Sequence, residues 1–471
     1  EAAGGVLAYS HHGALSREIR SVVEERLKAG SLRAIVATSS LELGIDIGSI
    51  DEVVLVQPPP TVASTVQRLG RSGHRVGERS RGRLYPLHAH ALIESAVLAR
   101  AVLDGEIEAS RPVANPLDVL AQVLLSMTLE RDWPLDELYD TIRAAEAYRH
   151  LPRAHFDLVV EMLAGRFATT RVRSLRPLAS VDRVDQTIRA RPGADRLLFS
   201  AGGTIPDRGY FTLRTERGGS PLGQLDEEFV WERAVGDTFS LGVQSWRIQR
   251  ITHNDVFVVP VETRAAMAPF WRAEERDRSS FLSDRIGHFL EAALPAIDDP
   301  DFARELEERY RLQPAAAAEL KRVLAAQLAA TGTLPHRRQL VVEHTTAPDR
   351  SGLSRQLVLH TGWGGRVNRP FAYALAAAWR ARLGGHPEVI HGDDCIVVTH
   401  PAGAAPDDPF ALVPAERIEE LLREELEHTG FFGARFREAA GRALLLPRAG
   451  GQRRTPLWLN RQRAKEMLEV V

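Results

Sequence analysis

Four short apolar runs dominate the first part of the chain: Val6-Leu7-Ala8-Tyr9, Ala34-Ile35-Val36-Ala37, Val53-Val54-Leu55-Val56 and Leu84-Tyr85-Pro86-Leu87. Each is continuous rather than alternating, and such a strand needs apolar cover on both faces, which a parallel sheet flanked by helices provides. The segments between them have the matching helical period. Ile19, Val22, Val23 and Leu27 make one apolar face, with Ser16 placed to cap its start and Gly30 to end it. Thr61 to Leu69 reads as a shorter helix after the breaker Pro58-Pro59-Pro60. A parallel α/β domain over residues 1–110 follows. Its first run stands almost at Glu1, so the fold is expected to continue upstream.

At 471 residues the chain is too long for one core, since a domain takes ~100–200 residues. Residues 111–185 carry three helical stretches, Pro116–Met127, Leu135–Ala147 and Ala154–Leu163, followed by the arginine-rich extended segment Thr170-Arg171-Val172-Arg173. That order fits a winged helix or a generic helical linker domain. Residues 186–278 read as β, with runs at Leu197-Leu198-Phe199, Tyr210-Phe211-Thr212-Leu213, Phe229-Val230-Trp231, Trp246-Arg247-Ile248 and Val256-Phe257-Val258-Val259. Glycine pairs separate them, and a small β-barrel is expected. Residues 279–471 are mainly helical, with strand-like segments at Gln339–Val342, Gln356–Leu359 and Cys395–Val398. The fold class is thus multidomain α/β and α+β.

Composition excludes several classes. With 44% hydrophobic and 26% charged residues the chain is globular rather than disordered. A net charge of −2 argues neither for nor against nucleic acid, and the basic residues are almost all arginine, with lysines only at 28, 321 and 465. Cys395 is alone, which rules out an intrachain disulfide and a cysteine-built zinc site. The apolar runs fall short of the ~20 residues that span a bilayer. Glu1-Ala2-Ala3-Gly4-Gly5 lacks the marks of a signal peptide, so a cytoplasmic location is expected.

Three stretches carry chemistry. Tyr9-Ser10-His11-His12-Gly13-Ala14-Leu15-Ser16 sets small polar residues between a strand end and a helix start, where backbone N–H groups favour a phosphate. Thr38-Ser39-Ser40-Leu41-Glu42-Leu43-Gly44-Ile45-Asp46-Ile47 offers hydroxyls for phosphate oxygens, a glycine for close approach and a carboxylate for a ribose hydroxyl; a capped turn with a solvated acid would look the same. Gln67-Arg68-Leu69-Gly70-Arg71-Ser72-Gly73-His74-Arg75 brings guanidinium groups to a glycine-flanked turn, where a fixed positive charge can offset charge on a transferred phosphoryl group. From Gln67 to Arg83 there are six arginines and one acid, Glu78, which also suits a solvated basic face.

In this order and spacing the three stretches resemble motifs IV, V and VI of the second RecA-like domain of superfamily 2 helicases. Gln67 to His74 is most similar to the Lhr (large helicase-related) branch, in which a histidine stands where DEAD-box helicases have a second phosphate-binding arginine. The two-arginine clamp therefore does not carry over whole. The resemblance implies that Arg71 is the arginine finger, that Gln67 lies near the γ-phosphate, and that Gly44, Asp46 and His74 face the nucleotide. It also implies that Ser10, His12 and Thr38 face a nucleic-acid backbone. Farther along, Pro116 to Gln122 resembles the start of the Lhr winged helix. Phe229 to Arg233, Gly236 to Phe239, Pro269-Phe270-Trp271 and His360 to Asn368 resemble parts of its fourth domain. Trp271 is then expected to stack on a tracking strand, although a core tryptophan fits the local sequence as well. Arg366 could grip phosphate or pair with a nearby acid.

What is missing sharpens the expectation. A phosphate-binding P-loop needs Gly-Lys-Ser/Thr, and the residues before the three lysines are Leu27, Leu320 and Ala464. Asp226-Glu227-Glu228-Phe229 has the letters of an acidic metal box but follows Gly223-Gln224-Leu225 instead of a long buried strand. His391-Gly392-Asp393-Asp394 and His88-Ala89-His90 have loose ligand spacing with no third partner, and no metal site is expected in this chain. The resemblance places the Mg²⁺ ligands and the phosphate cradle on a preceding RecA-like domain, so this chain alone is not expected to hydrolyse ATP. The whole enzyme is expected to be an ATP-dependent 3′-to-5′ translocase on single-stranded DNA that unwinds DNA or RNA:DNA duplexes, in repair. Two other readings stand beside it: a non-catalytic nucleic-acid-binding module on a RecA-like scaffold, and a metal-dependent hydrolase built on His391, Asp393 and Asp394.

Overall fold

The computed structural model describes residues 8–11, 17–38, 41–42, 50–73, 77–167, 170–171, 176–201, 203–204, 210–216, 221–226, 229–230, 233, 235–241, 244–252, 254–261, 277–349, 352–385, 387–400, 405–426 and 430–445. The chain divides into two compact units, one of Glu1–Ala109 with Glu275–Leu426, the other of Ser110–Glu274 with Glu427–Val471. No helix among the described residues is long and apolar enough to cross a membrane.

In the first unit, strand Ala8–His11 runs parallel to Ala34–Ala37, and Val53–Val56 runs parallel to Gly82–Tyr85. The last of these ends one residue before Pro86, which has no N–H for a ladder, so it lies earlier than the apolar run suggested. Helix Arg17–Lys28 buries Val23 and Leu27. Helix Val62–Leu69 starts at Thr61, whose side chain accepts the Ser64 N–H. Helix Ala89–Leu103 buries residues on most of its circumference, among them Leu92, Ala96, Val97 and Leu98. The reason lies far along the chain: helices Ser280–Ala293, Phe302–Tyr310 and Pro314–Thr331 pack with it in one core that includes Val62, Leu282, Phe289, Leu306 and Leu320.

The same unit holds an antiparallel sheet in the order Val341–Asp349, Gly352–His360, Cys395–His400, Glu388–His391. Helix Gly365–Leu383 covers one face, setting Leu375 and Trp379 in a core with Leu357, Leu359, Ile396 and Val398. The sheet is larger than the sequence suggested. Its outer strand carries Glu343, His344, Thr345 and Thr346 in succession, without the alternation that marks a half-buried strand.

In the second unit, helices Leu117–Glu130, Leu135–Arg143 and Arg153–Leu163 each follow a proline, Pro116, Pro134 or Pro152, whose fixed φ suits the helix entry. They pack with a three-stranded sheet of Trp133–Pro134, Thr187–Ala190 and Ala179–Asp182, which is the winged-helix pattern. One reading is corrected here. Leu197-Leu198-Phe199 is not a strand but part of helix Ala194–Ala201, with Leu197 and Leu198 against the winged-helix core and Phe199 85% exposed. An apolar run of three is too short to distinguish helix from strand. Phe229 and Val230 are likewise helical, and both are buried.

The remaining strands form a five-stranded sheet in the order Pro221–Asp226, Tyr210–Thr215, Asp255–Val261, Gln244–Ile251, Thr238–Leu241. Among the described residues its two outer strands are not paired to each other, so the arrangement described is a sheet rather than a closed barrel. Asp226 ends a strand whose Leu225 faces the same core as Phe229.

Leu320 is fully buried where the early and late segments of the first unit meet. Leu320→Ala is expected to lower unfolding free energy by about 2–5 kcal/mol in urea denaturation.

Candidate functional site

The arginine-bearing turn is fixed by its neighbour. Ser72 is fully buried, its hydroxyl lies 2.9 Å from both Leu69 O and Arg81 O, and it accepts the Arg81 N–H at 2.9 Å. Ser80 Oγ donates back to Ser72 O at 2.9 Å, and Ser72 forms a parallel bridge with Ile50. Gly73 has φ +64, and a Cβ there would stand 2.6 Å from the backbone of Arg79, so only glycine fits. These contacts pin the turn, and Arg71 stands half-buried on it.

Glu42, which sequence reasoning did not single out, meets both arginines of the motif. Its carboxylate takes Arg68, with Nη2 at 2.8 Å and Nε at 3.0 Å. Its backbone oxygen accepts Arg71 Nη2 at 2.9 Å. Glu42 thus meets Arg68 through its carboxylate and Arg71 through its backbone oxygen. Gln67 sits one turn before Arg71 on helix Val62–Leu69 and is exposed.

Ser10 and Thr38 are brought together. They lie at the carboxyl ends of two paired parallel strands, Ser10 opposite Val36, with the Thr38 N–H reaching His11 O at 3.4 Å, and both are exposed. Ligands of open α/β sheets bind outside the carboxyl edge. His11, by contrast, is 1% exposed with Nε2 3.0 Å from Glu24 Oε1, a packed role. His12, Gly44, Asp46, His74, Arg75 and Trp271 lie outside the described residues.

Sequence reasoning also passed over Glu108 and Arg278. Glu108 caps the helix of the arginine turn, accepting Val62 N–H at 2.8 Å and Ala63 N–H at 2.9 Å. Burial works against its charge, but hydrogen bonds from the amides of Ala63, Val62 and Glu108 itself and from the Ser279 hydroxyl together hold the carboxyl below the ordinary carboxylate value. Arg278 is 2% exposed. It pairs with Glu94 through Nη1, lies 2.6 Å from Asp394 Oδ1 through Nη2, and donates from Nε to Ser283 Oγ at 2.9 Å. Burial pushes Glu94 above the usual carboxylate range; Arg278 pulls against that, and the charge of Asp394 adds to it. The only signal in the sequence was an arginine directly before the N-cap Ser279.

The glycine-rich turn at 361–365 is built on the same group. Arg278 Nη2 donates to Gly362 O at 3.3 Å, while Asp393 Oδ1 accepts the N–H groups of Arg278 and Gly365 at 2.8 and 2.7 Å. Asn368, fully buried, donates to Gly392 O at 2.8 Å and accepts Thr361 Oγ1 at 2.7 Å. Arg366 stands at the start of helix Gly365–Leu383 and is exposed. Asp393 and Asp394 are thus occupied with a buried cation and backbone amides, so the hydrolase reading built on them falls. Among the described residues no cluster of three or more His, Cys, Asp or Glu side chains could hold a metal ion.

Three family models match the chain in succession. Residues 1–76 match the helicase conserved C-terminal domain, residues 100–268 the winged helix domain of large helicase-related protein, and residues 334–471 the DEAD/H associated family. The Lhr helicase/probable uracil glycosylase of Mycolicibacterium smegmatis is 41% identical over 99% of this chain and 31% of its own length. The Lhr helicase/uracil glycosylase of Escherichia coli is 40% identical over 98% and 30%. ATP-dependent helicase Lhr-Core protein 2 of Thermococcus barophilus is 31% identical over 99% and 54%. The chain thus spans between 30% and 54% of the length of these relatives. The solved structure of Mycobacterium smegmatis helicase Lhr bound to ssDNA and AMP-PNP superposes with a TM-score of 0.76 at 37% identity, covering 99% of this chain and 55% of that one.

Removing Arg278 would leave two carboxylates facing each other without their cation. Arg278→Ala is expected to cost about 3–5 kcal/mol at neutral pH. The deficit should shrink as the medium is acidified and Glu94, whose pKa is already raised, takes up a proton. Denaturation series at neutral and mildly acid pH check both the size and the sign.

Proposed function

The chain belongs to the Lhr (large helicase-related) family, and we propose that it supplies the second motor lobe and the accessory domains of an ATP-dependent helicase moving 3′ to 5′ along single-stranded DNA. The observation that carries this reading is the presentation of Arg71: buried Ser72, bonded to Leu69 and Arg81, and Gly73 at φ +64 hold the turn on which Arg71 stands half-buried, just after the helix that carries Gln67. A guanidinium is always charged and its fork matches phosphate oxygens, which suits an arginine finger on the γ-phosphate of ATP.

In this reading ATP sits between residues 1–110 and a preceding RecA-like lobe that holds the P-loop and the Mg²⁺ ligands. Gln67, Gly44, Asp46 and His74 face it from this side. Ser10, His12 and Thr38 contact the backbone of the tracking strand. Trp271 stacks on a base and Arg366 holds a phosphate. Nucleotide binding favours the closed arrangement of the two lobes and release the open one, so the backbone contacts shift along the strand with each cycle. The displaced complement is DNA or RNA, and the work is done in the cytoplasm as part of DNA repair. Support for ATP and single-stranded DNA comes from the relative solved with ssDNA and AMP-PNP, and support for repair from the uracil glycosylase in the names of two relatives.

In the full-length protein, Arg71→Ala should reduce DNA-stimulated ATP hydrolysis by about 10³-fold or more, with single-strand affinity in a filter-binding or anisotropy assay within about twofold of wild type. Unchanged turnover would remove the finger. Trp271→Ala should keep ATP hydrolysis but lose strand displacement, because a stacked base contributes ~1–3 kcal/mol to grip. Undiminished displacement in a gel-based unwinding assay would end the stacking role.

A further inference from the structure

Helix Val62–Leu69 is eight residues long, so its direction is set by what holds its two ends. At the carboxyl end Ser72 fixes where the turn sits. At the amino end Thr61 supplies a local cap, its Oγ1 accepting Ser64 N–H at 3.0 Å, which leaves the N–H groups of Val62 and Ala63 to other acceptors. Glu108 adds a second, long-range hold, one carboxylate oxygen on Val62 N–H and the other on Ala63 N–H. Ser279 completes it, with Oγ donating to Glu108 Oε1 at 2.9 Å and N–H donating to Pro60 O at 3.0 Å.

The residues beside Ser279 lead elsewhere. Arg278 is the buried cation that organises Gly362, Asp393 and Asp394, and Asp277 Oδ2 lies 2.5 Å from Arg369 Nη2 on helix Gly365–Leu383. Three consecutive side chains thus join the amino end of the arginine-turn helix to the glycine-rich turn. The join is tight: Gly364 has φ +84, and a Cβ there would stand 2.6 Å from Arg278 O.

We propose that Glu108 is a positioning residue for Gln67 and Arg71, and that Asp277-Arg278-Ser279 ties that position to the 361–365 turn. The inference rests on the arginine-finger reading of Arg71. Glu108 acts by setting the helix axis, and with it the exposed Gln67 and the line along which Arg71 approaches its anion.

The experiment compares Glu108→Ala, Glu108→Gln, Ser279→Ala and Arg71→Ala in the full-length protein, reading kcat and KM for ATP with saturating single-stranded DNA, strand affinity and melting temperature. Glu108→Ala should lower kcat by about tenfold or more, since small misplacements of a reacting group are costly. KM for ATP and strand affinity should stay near wild type. Glu108→Gln keeps an acceptor and should recover part of the loss, and Ser279→Ala should show a smaller loss of the same kind. A purely structural role would instead lower the melting temperature and leave kcat of the folded protein unchanged, which overturns the proposal. Should Glu108→Ala fail to fold, wild-type kcat in both Glu108→Gln and Ser279→Ala overturns it equally. If Arg71→Ala abolishes turnover while the Glu108 variants keep it, only the positioning role fails. If Arg71→Ala itself retains turnover, the finger reading fails and the positioning role with it.

Discussion

A single buried guanidinium holds together the parts of the first unit that sequence distance would keep apart. Arg278 touches helix Ala89–Leu103 through Glu94, helix Ser280–Ala293 through Ser283, the glycine-rich turn through Gly362 and the end of the sheet through Asp394. A charge taken out of water costs several kcal/mol unless it is paired and its donors are used. Here two carboxylates, a hydroxyl and two carbonyls share them. The partners come from four segments, so the pairing of this one charge depends on all four being packed together.

Much of the motor-like half was legible in the residues themselves. Continuous apolar runs marked Ala34–Ala37 and Val53–Val56 without error, and the breaker Pro58-Pro59-Pro60 marked the start of helix Val62–Leu69 to within a residue. The three proline-initiated helices of the second unit were legible for the same reason: the local rule and the tertiary packing agree there. Failures occurred where they disagree. Leu197-Leu198-Phe199 carries strand-like residues, yet the helix that contains them packs Leu197 and Leu198 on the winged-helix core. Strand Val341–Asp349 is polar on both faces because it is an outer strand, so its length had no signature in hydropathy.

The candidate site divides in a similar way. Arg71 stands in a glycine-flanked arginine turn after a helix, which is a local pattern, while Gln67, Ser10 and Thr38 were singled out by the resemblance to superfamily 2 helicases. Glu42, Glu108 and Arg278 could not, since their roles depend on partners 26 to 184 positions away and on burial that no window of sequence displays. A carboxylate in a loop looks solvated until the amides it faces are known. The residues expected to do chemistry were therefore more visible than the residues that place them.

The first unit is discontinuous, and that has a bearing on biosynthesis. Helix Ala89–Leu103 leaves the ribosome with apolar residues around most of its surface, while the helices that cover them are encoded about 180 codons later. At ~5–20 residues per second the delay is on the order of 10–40 s, during which the intervening winged helix can gather most of its core, with Ala443 and Leu444 joining it only later. The nascent polypeptide thus exposes a sticky segment for the time it takes to make the intervening stretch of the second unit, and a holding chaperone has its clearest opportunity there.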